Sequence, residues 1–426
     1  MAPCGSSHRS LLPVTARAKI SDVNPTWKRL VVLLLVAAGA LPAWPAKKIS
    51  VQDLKDLLAA MQQKKKNDAD VATALKQVEL SEELTRAGMN SLLSYEPGQQ
   101  TTEQIYVLEG RSAMLAPPAA DIPSAAAPDS AAQNAILNKA AEYVTKTYAE
   151  LPALAAMKTA LRFQDNVETV AAASGIQGGA TEVDVSPRFS NPASFVHYIN
   201  SSQVQVAFEH GGEKAPAKDK IPWGANSMIT LEQPEPSLAV IFQEAQSSGS
   251  LKWLRWELID GRQMAVFAFA VPRKKSRLEV AVCCFPNVNQ AGIATFYTAT
   301  TAPALSGGTS TGGGGVAGNF QTNTEWHDYK SMAAYHGELF IDPETGLVVR
   351  MITQAELKPS EVVHQEDTRV DFGPVPVSGK MLMVPVKAFV DTEVVPNGDS
   401  SAGRYTTRRT LFITEYKDYR PSMALQ

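Results

Sequence analysis

The pattern of apolar and polar positions changes character along the chain. From about residue 50 to 115, apolar residues recur at helical spacing. Leu54, Leu57, Leu58 and Met61 fall at i, i+3, i+4 and i+7 behind Ser50 and Asp53, which fit an N-cap and its capping-box partner. Asp68 is placed to cap a second helix carrying Val71, Leu75 and Val78. Ser81, followed by Glu82 and Glu83, reads as the start of a third, with acid at the positive end of the helix dipole, and Pro97-Gly98 as its stop. A shorter helix is expected from about Thr102 to Leu115. The run "APPAADIPSAAAP", Ala116 to Pro128, is a Pro/Ala linker. Asp129 then caps a helix with Ile136, Ala140, Tyr143, Val144 and Tyr148 on one face.

From about Lys158 the period becomes two. "TALRFQDNVE", "QVQVAFE", "LKWLRWELI", "QMAVFAFAV" and "RLEVAVCCF" predict strands, interrupted by one helix between Ser237 and Gly249. Asp260-Gly261 is a hairpin turn. Asp342-Pro343-Glu344-Thr345-Gly346 is another: Asp starts it, Pro has a fixed φ, and Gly takes φ > 0 at little cost. "MLMVPVKAFVDTEV" and "RRTLFITEYKDYR" close the series, the latter with Phe412, Thr414 and Tyr416 on one face and Leu411 and Ile413 on the other. Trp253 and Trp256, three apart on a strand, are expected on opposite faces.

Hairpin-joined strands with few helices among them predict an α+β fold: a helical N-terminal region followed by a curved, mainly antiparallel, half-barrel-like β-sheet with covering helices. Four segments follow: a leader and signal peptide at 1–46, a helical region at 47–115, the linker at 116–128, and a helix plus sheet domain at 129–426. "MAVFAFAV" and "LEVAVCCF" are apolar on both faces. The sheet must therefore be covered by helices, those from Asp129 and Ser237 among them, or enclose an apolar space of roughly 300 Å³ or more.

Composition narrows the function. The 426 residues are 44% hydrophobic, enough for a sizeable core, and the formal charge of −3 offers no basic excess for phosphate neutralisation, so nucleic acid is not an expected partner. Lys28 and Arg29 precede an apolar run from Leu30 to about Leu41, followed by small residues. This is the grammar of a secretory signal, and it predicts a periplasmic or secreted protein, with an N-terminal membrane anchor only if the signal stays uncleaved. Cys283 and Cys284 are adjacent, which fits ordinary disulfide geometry poorly, and they read as buried thiols.

Candidate chemistry is sparse. His336 and Glu338 share one strand face, and His364-Gln365-Glu366-Asp367 offers nitrogen and oxygen donors, but the first pair reads as a solvated face and the second as a charged loop. No Gly-x-Ser-x-Gly, His-Glu-x-x-His, paired Cys-x-x-Cys or strand-following Gly-x-Gly-x-x-Gly occurs. The Gly-rich run Ser306–Gly315 lacks the Gly-Lys-Ser/Thr of a phosphate loop. No catalytic residue, metal set or cofactor site is assigned.

"APPAADIPSAAAPDSAAQ", "YVTKTYAELPALAAMKTALRFQDN", "YHGELFIDPETGLVVRM", "DFGPVPVSGKMLMVPVKAF" and "FITEYKDYRP", in this order, resemble a group of exported bacterial proteins of unknown function, from about residue 48 to the end. The C-terminal part is similar, more loosely, to the outer-membrane lipoprotein carrier and sorting proteins. The shared cue is a strand, an acidic turn with Thr-Gly, a second strand ending in Arg, and a later "VPVSGKMLMVPV" strand pair. That resemblance implies a curved sheet wrapped around helices, with a hydrophobic cavity for acyl chains, and it assigns no ligand-binding residue. The expected function is thus non-enzymatic binding of a lipid or other apolar ligand in the cell envelope. The rival readings are a protein–protein interaction or scaffolding module whose cavity is core, and a hydrolase with an unrecognised site.

Overall fold

The computed structural model describes residues 47–165, 196–209, 211–214, 229–230, 236–286, 326–361, 363–394 and 408–422. The leader 1–46, the Gly-rich run 306–315, His210 and the side chains of Cys283 and Cys284 lie outside the described residues.

The N-terminal region begins with β1 (Lys47–Ile49) and α1 (Val51–Gln63). Ser50 and Asp53 form the expected capping box. Helix α2 (Asp68–Leu75) is capped by Asn67 rather than Asp68, and it ends before Val78, which lies in β2 (Val78–Leu80), paired parallel with β1. The Asp68 carboxylate serves a different helix. It accepts the Gln100 and Thr101 amides, both at 2.9 Å, at the start of α4 (Gln99–Ser112). The third helix, α3 (Arg86–Leu93), starts at Thr85 and not at Ser81. Glu82 instead accepts the Val51 amide at 2.8 Å, placing its charge at the N-terminus of α1. Helix α4 has 14 residues, as many as expected from Thr102 to Leu115, but it lies three positions earlier, where a side chain 32 positions upstream supplies its cap.

Helix α5 (Ser130–Glu142), capped by Asp129, runs into a π-helical turn at Tyr143–Tyr148. Ile136, Ala140, Tyr143, Val144 and Tyr148 are all buried, as their spacing requires. The strands are β3 (Leu154–Asp165), β4 (Val196–Glu209), β5 (Gly212–Glu213), β6 (Ile229–Thr230), β7 (Lys252–Ile259), β8 (Arg262–Val271), β9 (Glu279–Pro286), β10 (Trp326–Met332), β11 (Ala334–Ile341), β12 (Val348–Glu356), β13 (Val363–Val377), β14 (Lys380–Val394) and β15 (Arg408–Pro421), with α6 (Leu238–Ser247) between β6 and β7. Ten of them form one open sheet in the order β5-β4-β3-β15-β14-β13-β12-β11-β8-β7, with every neighbouring pair antiparallel. The segment "RLEVAVCCF", expected in this sheet, leaves it: β9 pairs with β10 and β6 in a three-stranded sheet. The β8 and β11 pair thus continues as β9 and β10. Leu278, Val280 and Val282 join the core that buries Leu238, Ile241 and Phe242 of α6.

Both faces of the large sheet are covered. On one, Phe267, Phe269, Tyr335, Leu339, Met351 and Val370 pack under α5, the π turn and α6. On the other, Val107 and Ala113 of the α4 region pack on Phe163, Phe389, Leu411 and Ile413. Gly110 makes this contact possible, because a Cβ there would lie 2.5 Å from Leu411 Cδ2. Phe412 faces opposite to Leu411 and Ile413, as the alternation predicts.

Two turns follow their chemistry. Asp260 and Gly261 both take positive φ, 49° and 77°, as a tight β7–β8 hairpin needs. In the β11–β12 turn, Asp342 accepts the Glu344 and Thr345 amides, and Gly346 sits at φ 78°. This turn is a docking point for α5: Lys139 Nζ donates to the Pro343 and Glu344 carbonyls at 3.2 and 2.9 Å. A Cβ on Gly346 would meet the Lys139 backbone at 2.6 Å.

Gly346→Val should therefore act twice, through backbone strain and by pushing α5 off the turn. The expected loss is about 2 kcal/mol or more. A urea denaturation midpoint equal to wild type would refute the turn's docking role.

Candidate functional site

The space between the large sheet and its covering helices is where an apolar ligand would sit. Phe267 and Phe269 point into it as their alternation predicts, and both are buried. The space is filled by side chains from α5, the π turn and α6. A cavity of about 30 Å³ remains under the π turn, lined by Tyr148, Phe208, Glu213, Met351, Val370 and Tyr416 among others. One water needs about 10–15 Å³, and ligand pockets start near roughly 300 Å³, so this cavity holds a water or two and not an acyl chain. Polar groups border it. Lys158 Nζ meets Glu213 at 3.1 Å, both almost fully buried, and the Tyr416 hydroxyl donates to the same carboxylate at 2.7 Å. The Tyr148 hydroxyl donates to the Gly211 carbonyl, and burial pushes its phenol far above the ordinary range.

The opposite face carries the densest charge. Alternation along β12 and β13 puts Arg350, Arg369 and Asp371 on the side that α4 and its flanking loops cover. Glu83, from the loop between β2 and α3, enters between the arginines. It accepts from Arg369 Nη1 at 2.6 Å and from Arg350 Nη1 at 3.2 Å. Asp371 accepts from Arg350 Nε at 2.7 Å and Arg369 Nη2 at 2.9 Å. Burial alone would raise the Asp371 carboxyl, but Arg350 and Arg369 hold it well below the usual carboxylate range. Arg369 also donates to the Ala113 carbonyl beyond the end of α4, satisfying a helix-end acceptor. Both guanidiniums lie over aromatic rings, Arg350 over Phe340 at 5.3 Å and Arg369 over Phe389 at 5.3 Å. Glu257, Arg255 and Glu338 extend the network along the sheet.

The residues singled out in the sequence disperse. Glu338 does share a face with His336, but it binds Arg255 at 2.8 Å, while His336 Nδ1 lies 3.4 Å from Glu356 at the surface. His364 to Asp367 lie within β13, so the charged-loop reading is corrected: alternation turns Glu366 and Asp367 to opposite faces. Trp253 and Trp256 share a face after all, with ring centroids 4.7 Å apart, because a bulge between Trp253 and Arg255 adds a residue and shifts the alternation. The Trp256 indole donates to the Ala126 carbonyl, which ties the linker to edge strand β7.

Glu366 is a further buried titratable group. It faces the helix-covered side next to its cross-strand partner Thr392; both are buried, and Glu366 Oε2 and Thr392 Oγ1 have no hydrogen-bond partner. Burial, with the charge of Asp367 beside it, raises Glu366 to about 8. Asp367 is raised to about 6, chiefly by burial, although Gln354 and Gln365 donate to it. Among the described residues no three His, Cys, Asp or Glu side chains gather as a metal set. The clusters that do form are paired charges and a lone buried acid. The sequence pattern singles out neither the arginine cluster nor a buried Glu366; strand alternation along β12 and β13 is the signal that could have found them, since it sets charged residues on covered faces.

Removing Glu83 leaves two arginines in a buried site short of a carboxylate. Glu83→Ala should cost about 3–5 kcal/mol, against under about 1 kcal/mol for the exposed pair partner Glu142→Ala. Equal effects of the two substitutions in urea titrations would contradict this assignment.

The pH dependence has a definite sign. Glu366 and Asp367 have raised folded-state values, so their contribution to stability is fully present below the unfolded values of 4.5 and 3.8 and is lost as pH rises through about 6 and 8. Stability should fall between pH 5 and 8 as these values imply, and Glu366→Gln should flatten the slope. Asp371 has the opposite sign, but its effect lies below pH 3.8, outside that window. An identical slope in wild type and E366Q would rule out a raised Glu366.

Comparison of the chain with family models, with curated proteins and with solved structures returns no match.

Proposed function

We propose that this chain is an exported, non-enzymatic envelope protein that works as an interaction or scaffolding module, with a half-barrel-like sheet as its rigid framework. One observation carries this reading: the large sheet is occupied on both faces from within the chain, and about 30 Å³ remains beneath the π turn. A filled interior leaves the outer surface as the place of recognition. Export rests on Lys28-Arg29 and the apolar run behind them.

An apolar-ligand carrier is the second reading. It draws on the wall of Phe267, Phe269, Tyr335 and Met351, and on α5, which is held to the β11–β12 turn by Lys139 and preceded by the Pro/Ala linker. That reading requires α5 to leave its seat.

Delipidated protein titrated with a fluorescent fatty acid separates the two. No saturable signal, and no lipid in mass spectra of the purified chain, is the outcome expected of a scaffold. Saturable binding at micromolar concentration would overturn the scaffold reading in favour of a carrier.

A further inference from the structure

The turn joining β8 to β9 reads "VPRKKSRLE", with Arg273, Lys274, Lys275 and Arg277 all exposed. Four cations within five residues are a local reversal in a chain of formal charge −3. The turn is fixed by its own bonds rather than left as a free loop. The Lys275 amide donates to the Pro272 carbonyl at 2.8 Å, and Ser276, almost buried, accepts the Leu278 amide at 2.9 Å. The Arg277 amide donates to Glu244 at 3.2 Å, and Lys275 Nζ donates to the Ser247 carbonyl at the C-terminal end of α6. Arg273 reaches Ser331 at 3.0 Å, which brings the turn beside Met332, a side chain 37% exposed. Lys330 lies two residues from Met332 on β10 and extends the basic surface.

The acids nearby do not cancel it. Glu244 faces the turn from α6, where it meets Arg277 at 3.5 Å and accepts from the Tyr335 hydroxyl, and Glu279 meets Lys330 at 3.1 Å. Glu361, which accepts from the Tyr329 hydroxyl at 2.8 Å beside Ser331, is a third acid, so five cations against three carboxylates leave two positive charges on a patch held in one shape.

We propose that this turn is a docking surface for an anionic bilayer. Clusters of four to eight basic residues attract acidic headgroups, and the neighbouring Met332 adds an exposed apolar contact. Because the turn is already ordered, little conformational entropy is lost on contact. The attraction is electrostatic, so it decays within a screening length of about 10 Å at 0.1 M salt. The proposal is independent of whether the interior takes a ligand.

The test is co-sedimentation of the full chain with vesicles, either of phosphatidylcholine alone or of phosphatidylcholine mixed with phosphatidylglycerol. Binding to the anionic vesicles should exceed binding to the neutral ones and should vanish near 1 M salt, where screening acts over about 3 Å. Each neutralised cation should weaken binding about fivefold, so R273Q/K274Q should lower the partition coefficient about 25-fold. K64Q/K65Q, at the end of α1, should leave it unchanged. A second variant, K274Q/K275Q, should repeat the loss, and melting temperatures of both variants show that they remain folded. The proposal fails if the chain binds both vesicle types equally, if it binds neither, or if K64Q/K65Q produces the same loss as R273Q/K274Q.

Discussion

A carboxylate from one layer set between two arginines of another is the interaction on which this architecture turns. Glu83 reaches from the N-terminal helices into the face of the large sheet, where Arg350 and Arg369 would otherwise share Asp371, with Glu257 3.7 Å from Arg350. Taking a guanidinium out of water costs several kcal/mol unless charge and hydrogen bonds replace the water. The pairing adds little net stability beyond what a well-packed apolar contact would, but breaking it is expensive. It therefore acts as a positional constraint, favouring the seat of the N-terminal helices in which Glu83 meets both arginines. Gly110 reinforces that seat sterically, since a Cβ there would lie 2.5 Å from Leu411 Cδ2 and force that side chain to move.

The other face is organised by shape rather than charge. Helix α5, its π-helical extension and α6 present Ile136, Tyr143, Tyr148, Ile241 and Phe242 to the sheet, and the small sheet adds Val280 and Val282 beneath α6. The π turn places Tyr143 and Tyr148 with ring centroids 6.2 Å apart, and Tyr148 meets Phe372 edge-on at 5.9 Å. Polar groups at the margin are matched within the chain: Glu213 takes Lys158 and Tyr416, and Glu244 takes Tyr335 and the β8–β9 turn. Glu366 is the contrast. Its cross-strand partner is the hydroxyl residue Thr392, and burial with the charge of Asp367 beside it favours the protonated form near neutral pH.

Helices pack on both faces of the large sheet, while much of β4 and the β13–β14 hairpin stays exposed. The hairpin turn around Gly346 is framework: its carbonyls anchor Lys139, and its glycine admits the α5 backbone. Exposed features among the described residues include the basic β8–β9 turn, Met381 in the β13–β14 hairpin and the sheet edges, one of which, β7, is partly shielded by the linker through Trp256.

The sequence alone determined those elements whose causes lie within a few residues of one another. The Ser50–Asp53 box, the Asp129 cap, the Asp260-Gly261 and Asp342–Gly346 turns and the period-two strands all rest on adjacent side chains acting on their own backbone. Tertiary structure decided everything that depends on register or on distant partners. Asp68 looked like a cap for its own helix, but Asn67 sits one position earlier, which frees Asp68 to bind amides 32 and 33 residues away. A single extra residue at the β7 bulge brought Trp253 and Trp256 to the same face, because strand alternation has no tolerance for an insertion. The departure of β9 into a second sheet, the pairing of Glu83 with arginines more than 260 positions away, and the isolation of Glu366 are all set by which strands lie beside which. Local propensity carries no information about that, since a buried charge shows what it needs but not where in the chain its partner lies.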